Sequence, residues 1–181
     1  MMAEMHPLHA PWRMEYIRAL ESGEAGKPGE CFICLANAAD SLQQSKDRLV
    51  LWTSQHSIVL MNKFPYTNGH LLIAPRAHKA ELEELSADEL LDLQSQTVEA
   101  MRVLRRAMSP QGFNIGINLG RCAGAGLPGH VHQHVVPRWA GDTNFMSVVG
   151  EVRIVPQAMS QLYDELLRVR AEMSADGTLT R

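Results

Sequence analysis

His130-Val131-His132-Gln133-His134 constrains this chain more than any other stretch. Side chains alternate across a β-strand, so a strand here puts the three imidazoles on one face, each pair roughly 7 Å apart along it. Such a row brings no packing advantage, whereas imidazole serves widely as metal ligand and general base. The stretch directly before it, Gly120 to Gly129, holds four glycines. Free backbone N–H groups in a loop of that kind can cradle phosphate oxygens. Three readings stay open at this point: histidines that do chemistry beside a bound anion, a catalytic ion held jointly by them, or a face without chemistry. Joint ligation is disfavoured, because same-face neighbours must converge to share one ion and the cluster contains no carboxylate to act as base. Pure binding does not require a row of imidazoles.

Charge and cysteine usage narrow the setting. Lys and Arg total 17 against 20 Asp and Glu, a formal net charge of −3. A nucleic-acid coat or a membrane-surface binder needs a basic excess, so neither partner is expected. A small polyanion needs only a few local cations and amides. Cys31, Cys34 and Cys122 are odd in number, and two are close together, unlike a secreted disulfide framework. Met1 to Pro11 lacks the apolar core of a signal peptide, and no apolar run approaches the roughly 20 residues of a membrane span. A cytoplasmic protein is expected.

Periodicity supplies the elements. Pro11 to Ile17 is expected to open a short helix, Glu21 to Glu30 to be a loop, and Ser41 to Lys46 to be a polar connection. Arg48 to Thr53 and Ser57 to Asn62 read as a hairpin around Ser54-Gln55-His56. His70 to Ala74 is a short apolar strand ended by Pro75. Ser86-Ala87-Asp88-Glu89 is a capping-box pattern, and Leu90, Leu93, Thr97, Met101, Leu104 and Met108 recur behind it at helical spacing. A helix over 87–108 is expected, ended by Ser109-Pro110. Strands over 113–119 and 130–136 flank the glycine loop, the second stopped by Pro137. A surface helix is expected over 157–173. Five strands, one long helix and a C-terminal helix in this order indicate an α+β domain.

With these residues in place, the chain resembles the histidine-triad (HIT) superfamily, whose signature alternates histidine with apolar residues. His130-Val-His132-Gln-His134-Val135-Val136 matches it, with Gln133 at an apolar position. Asn62 to Pro75 resembles the family's nucleoside-side hairpin, and Asn118 to Gly126 its phosphate-side loop. Pro11 to Ile17 and Gly141 to Met146 are similar to the branch holding bacterial diadenosine tetraphosphate phosphorylases and related hydrolases. The resemblance implies an antiparallel sheet of about five strands and a homodimer whose sheets join. The expected organisation is an N-terminal extension (1–30), a HIT domain (31–157) and a C-terminal helical tail (158–181).

The same resemblance assigns roles. His132 is the expected nucleophile, attacking the α-phosphorus of a dinucleoside polyphosphate to form a nucleotidyl-histidine. His134 is the expected donor to a phosphoryl or bridging oxygen. Asn62 is placed to contact ribose, and Asn118 to bond phosphate. Relatives often carry Ser or Gln shortly before the first histidine; here Gly126 and Leu127 stand there, and Arg121 or the amides of Gly124 to Gly126 are the expected substitutes. Hydrolysis of a nucleoside phosphoramidate and non-catalytic nucleotide binding are the alternatives within the family. Cys31-x-x-Cys34 has zinc-knuckle spacing. In zinc-bearing relatives a histidine after the third strand and the first triad histidine complete the site, which implies a structural Zn²⁺ on Cys31, Cys34, His78 and His130. No chemistry is assigned to Cys122, and His70 is expected to pack or to bond locally.

Overall fold

A computed structural model describes residues 31–142 and 158–179. The expected helix over 11–17 and the loop over 21–30 lie outside the described residues, as does Thr143 to Met146.

Five antiparallel strands form one sheet in the order β1-β2-β3-β5-β4: β1 Val50–Thr53, β2 Ser57–Met61, β3 Leu71–Pro75, β4 Gly112–Ile117 and β5 Gln133–Arg138. The architecture is the expected α+β one. Both β2 and β3 are buried along their whole length, because the sheet is covered on both faces there. A bulge at Leu51 shifts the pairing from Val50↔Leu60 to Trp52↔Val59. It turns Trp52 toward the thicker side of the sheet.

That thicker side holds α3 (Ala87–Met108) and α4 (Met159–Ala175), and the opposite side holds α1 (Phe32–Asn37); α2 (Leu42–Asp47) leads into β1. The larger core joins Val59, Met61, Leu71, Ile73 and Val135 of the sheet to Leu93, Val103 and Leu104 of α3 and to Leu162, Leu166 and Val169 of α4. The smaller core places Cys31, Ile33 and Ala36 on Ile58, Leu60, Leu72 and Ala74. The expected surface helix thus buries one face, and its Tyr163 hydroxyl donates to the Val50 carbonyl at 2.7 Å.

Three local expectations change. Ser41 to Lys46 is not an irregular connection, because the Ser41 hydroxyl accepts the Gln44 N–H and starts α2. The buried stripe of α3 is Leu93, Gln96, Thr97, Ala100, Val103 and Leu104, so Leu90 and Met101 sit at its margin. Gln96 is inside because its side-chain oxygen accepts the Trp52 indole N–H at 2.8 Å. β5 begins at Gln133 and runs through Pro137. Residues 130–132 are tied instead to the segment after β3: the Val131 N–H donates to the Lys79 carbonyl at 2.7 Å. Pro137 is tolerated because pairing with β3 ends at Val135, leaving only β4 alongside.

The capping box at Ser86 and Glu89 and the end of α3 at Met108 stand where the pattern placed them. No helix among the described residues is long and apolar enough to cross a membrane.

Candidate functional site

The three imidazoles project to the α1 side of the sheet, although only His134 belongs to the ladder, opposite Leu72. His132 is 6% exposed. Its Nδ1 lies 2.8 Å from the His130 carbonyl, an acceptor only, so Nδ1 carries the hydrogen. The lone pair is thereby left on Nε2. Burial pushes the His132 pKa below its ordinary value, against the opposing effect of that hydrogen bond.

His134 stands beside it, with ring centroids 5.1 Å apart. Its tautomer is set from two residues away. The Tyr66 N–H donates to His70 Nδ1 at 3.1 Å, which places the hydrogen of a neutral His70 on Nε2. That hydrogen points at His134 Nδ1, 2.9 Å away. A neutral His134 therefore keeps its own hydrogen on Nε2 and presents a donor. His70 is not simply a packing residue, and Tyr66 stacks on His134 at 6.0 Å. Phe32, 39% exposed, meets His132 edge-on at 6.5 Å. Neither Tyr66 nor Phe32 is singled out by sequence spacing, since their approach depends on how α1 and the β2–β3 turn fold onto the sheet.

The other expected residues sit around this pair. The Asn62 side chain accepts the Phe64 N–H at 2.9 Å and holds its amide nitrogen 3.2 Å from His70 Nδ1. Ile117 pairs with Gln133, so half-buried Asn118 lies one residue past the ladder, on the His132 side. Gln133 points to the other face, as expected, and is no defect there: its amide donates to Thr97 Oγ1 at 2.8 Å and its oxygen accepts from Gln94 at 3.1 Å.

The glycine loop is less open than expected. A short turn over Arg121–Ala123 closes with the Gly124 N–H on the Arg121 carbonyl at 3.0 Å, and the Ala125 N–H donates to the Gly120 carbonyl at 3.2 Å. Gly120 and Gly124 adopt φ of 74° and 85°, which glycine accepts without strain. Gly124 therefore shapes the turn and its amide is not an anion donor. Arg121 is exposed at the loop tip.

Cys31, Cys34, His78 and His130 come together on the other side of His132, with their ligand atoms within 4.8 Å of one another. His130 Nδ1 is 3.2 Å from Cys31 Sγ, and His78 Nδ1 is 3.1 Å from Cys34 Sγ. A tetrahedral ion with bonds of about 2.0–2.3 Å needs ligand separations of about 3.5 Å, so the donor set fits. The His130 Nε2–H donates to the Pro75 carbonyl at 2.9 Å, the outer bond that orients a metal-binding imidazole. Burial lowers the His130 pKa to about 4, keeping the ring neutral, as ligation requires. Burial, aided by Cys31, raises the Cys34 thiol to about 11; a cation is what would favour its thiolate. All four positions of such an ion would be filled by protein, leaving none for water.

A row of histidines at the end of a central strand, beside a glycine loop and facing a Cys₂His₂ cluster, defines the class, and residues 43–141 match the HIT domain model: the chain belongs to the HIT-domain family. Among its relatives, it is 33% identical to the AP-4-A phosphorylase of Mycobacterium tuberculosis (strain CDC 1551 / Oshkosh) over 160 residues, 86% of this chain and 80% of that protein. The asymmetrical bis(5'-nucleosyl)-tetraphosphatase of Schizosaccharomyces pombe is 33% identical over 93 residues, 51% of this chain and 50% of its own. A Zn-bound histidine triad family protein from Mycobacterium smegmatis shares the fold, with TM-score 0.59 and 24% identity over 71% of this chain and 87% of that one.

Proposed function

We propose that this chain is a nucleotidyl transferase that cleaves dinucleoside polyphosphates, of the diadenosine tetraphosphate kind, at the α-phosphorus through His132. The observation that carries the reading is the pair of fixed tautomers: a lone pair on His132 Nε2 beside a hydrogen on His134 Nε2. His132 Nε2 attacks phosphorus in line, the P–N bond forms and the P–O bond to the departing polyphosphate breaks. His134 Nε2–H gives its proton to the departing oxygen as charge develops there, so the polyphosphate leaves protonated at that oxygen and His134 Nε2 is left with a lone pair. The second acceptor then displaces His132, and His134 takes its proton. Phe32 and Tyr66 wall the nucleoside side. Asn62 contacts ribose, while Asn118, Arg121 and the Gly126 amide face phosphate.

Likeness to a phosphorylase over most of the chain supports orthophosphate as that acceptor. Diadenosine tetraphosphate would then yield ATP and ADP, whereas attack by water would yield ATP and AMP. A Zn²⁺ on Cys31, Cys34, His78 and His130 is part of the reading. It would act structurally, tying residues 31–34 and the segment after β3 to the segment that carries His132. The HIT domain spans 31–157, with an extension before it and a helical tail after it. The protein works as a cytoplasmic homodimer joined along β4, the sheet edge on which Asn114, Ile115 and Gly116 are exposed.

The test is a quench of the wild-type enzyme during turnover, followed by mass spectrometry of the peptide containing residue 132. A nucleotidyl adduct is expected on wild type, and none on His132→Ala, which should lose activity by about 10³-fold or more while still binding nucleotide. Turnover by His132→Ala near the wild-type rate would refute the assignment.

A further inference from the structure

The segment between β3 and the short turn at Leu82–Glu84 has no regular structure, yet it touches both halves of the site. Its start is held by the His130 imidazole on the Pro75 carbonyl and by Arg76 on Asn37 and the Ser54 carbonyl. Its end is held by Glu84, which accepts the Ala80 and Glu81 N–H groups at 2.6 and 3.0 Å. Between these anchors stand His78, in the Cys₂His₂ cluster, and Lys79, whose carbonyl accepts the Val131 N–H at 2.7 Å. Val131 is the residue between the metal-facing His130 and the nucleophile His132.

The Lys79 ammonium reaches away from the cluster to Glu89 in the first turn of α3, at 2.6 Å. Glu89 is mostly buried, with its side chain 12% exposed and that of Lys79 27%. The same Glu89 oxygen accepts the Ser86 N–H at 2.7 Å. The carboxylate is thus already fixed by the capping box before Lys79 meets it. A lysine tied to such an anchor loses little further entropy on pairing, unlike a lysine paired with a mobile surface carboxylate.

We propose that the Lys79–Glu89 ion pair is a positioning device of the site: by fastening this strap to the start of α3 it holds His78 against the thiols and the Lys79 carbonyl against Val131, and so sets where His132 points. Neither side chain is placed against substrate; both act through the backbone between His130 and His132. The catalytic consequence rests on the nucleophile assignment above, whereas the fastening itself does not.

The experiment uses the full chain loaded with Zn²⁺, comparing Lys79→Met, Glu89→Gln and Lys79→Arg with wild type. Glu89→Gln retains an oxygen for the capping box but not the charge. Amide hydrogen exchange at Val131 should quicken about tenfold in Lys79→Met and Glu89→Gln, with the Leu93 to Leu104 amides of α3 unchanged. Zinc release to a chromogenic chelator should quicken by about tenfold, the lower range for residues supporting metal ligands. The kcat for diadenosine tetraphosphate should fall about tenfold with KM within about twofold, since ground-state binding is untouched. Lys79→Arg should restore all three. Unchanged exchange at Val131, quickening spread equally through α3, or failure of Lys79→Arg to restore it would overturn the proposal. If His132→Ala retained activity, the kcat measurement would lose its meaning. Exchange and zinc release alone would then decide whether the pair fastens the strap.

Discussion

At the scale of single residues, the proposed chemistry rests on hydrogen placement. His132 needs a free lone pair and His134 a free hydrogen, and each is obtained by a bond to the opposite ring nitrogen. Two predictions belong here. Protonation at Nε2 blocks attack, and burial pushes that protonation below the ordinary imidazole value of 6.5. The acid limb of the kcat/KM profile should therefore have its midpoint below about 6.5; a midpoint at or above pH 7 would contradict a buried neutral nucleophile. For His134→Ala, turnover of diadenosine tetraphosphate should fall by about 10²–10⁴-fold. The p-nitrophenyl ester of AMP, whose leaving group departs without a proton, should lose less than about tenfold. Equal losses on both substrates would show that His134 only supports His132. His132 and His134 were legible because alternation is a local pattern. The contacts of His70 and Tyr66 with His134 were not, because they are made between segments 64 and 68 positions apart.

At the scale of elements, local signals placed α3 and its cap, because hydroxyl, carboxylate and apolar repeat all lie within one stretch of chain. They misplaced β5, because ladder membership depends on a neighbouring strand. They also missed the choice of Gln96 over its apolar neighbours, which a tryptophan from β1 dictates. Gly69 shows how closely α3 approaches the sheet. It has φ of +78°, and a Cβ there would lie 2.8 Å from Met108 Sδ and 3.1 Å from Leu104. Gly69→Ala should cost about 1–3 kcal/mol in urea unfolding, through left-handed backbone strain and displacement of these side chains. It should also reduce activity, since His70 follows directly. A loss below about 0.5 kcal/mol would mean that the helix yields freely at this point.

At the scale of the whole molecule, the sheet carries, among the described residues, a filled side and a side that bears the histidines. α3 and α4 bury the larger core on one face. The other is partly covered by α1, which leaves room for His132 and His134 beside the Cys₂His₂ cluster. One open feature among the described residues is the β4 edge, where Ile115 is 45% exposed. An edge strand presents unpaired backbone groups that a second copy can satisfy. If the proposed dimer forms along this edge, Ile115→Lys should shift it to monomer in sedimentation velocity, with its circular dichroism unchanged. A wild-type monomer at micromolar concentration, or a dimer indifferent to this change, would rule out that interface.

Sequence by itself determined the fold class, the limits of α3 and the row of histidines, and family resemblance added the four residues of the Cys₂His₂ cluster. The first three are repeating or short-range patterns, and backbone geometry converts each directly into shape. Tertiary structure alone decided that Gln133 is satisfied by Thr97 and that the Gly124 amide turns inward. It alone also tied Lys79 to both Glu89 and Val131. Each is a directional contact whose partner is chosen by packing of distant segments, and no periodicity along the chain records that choice.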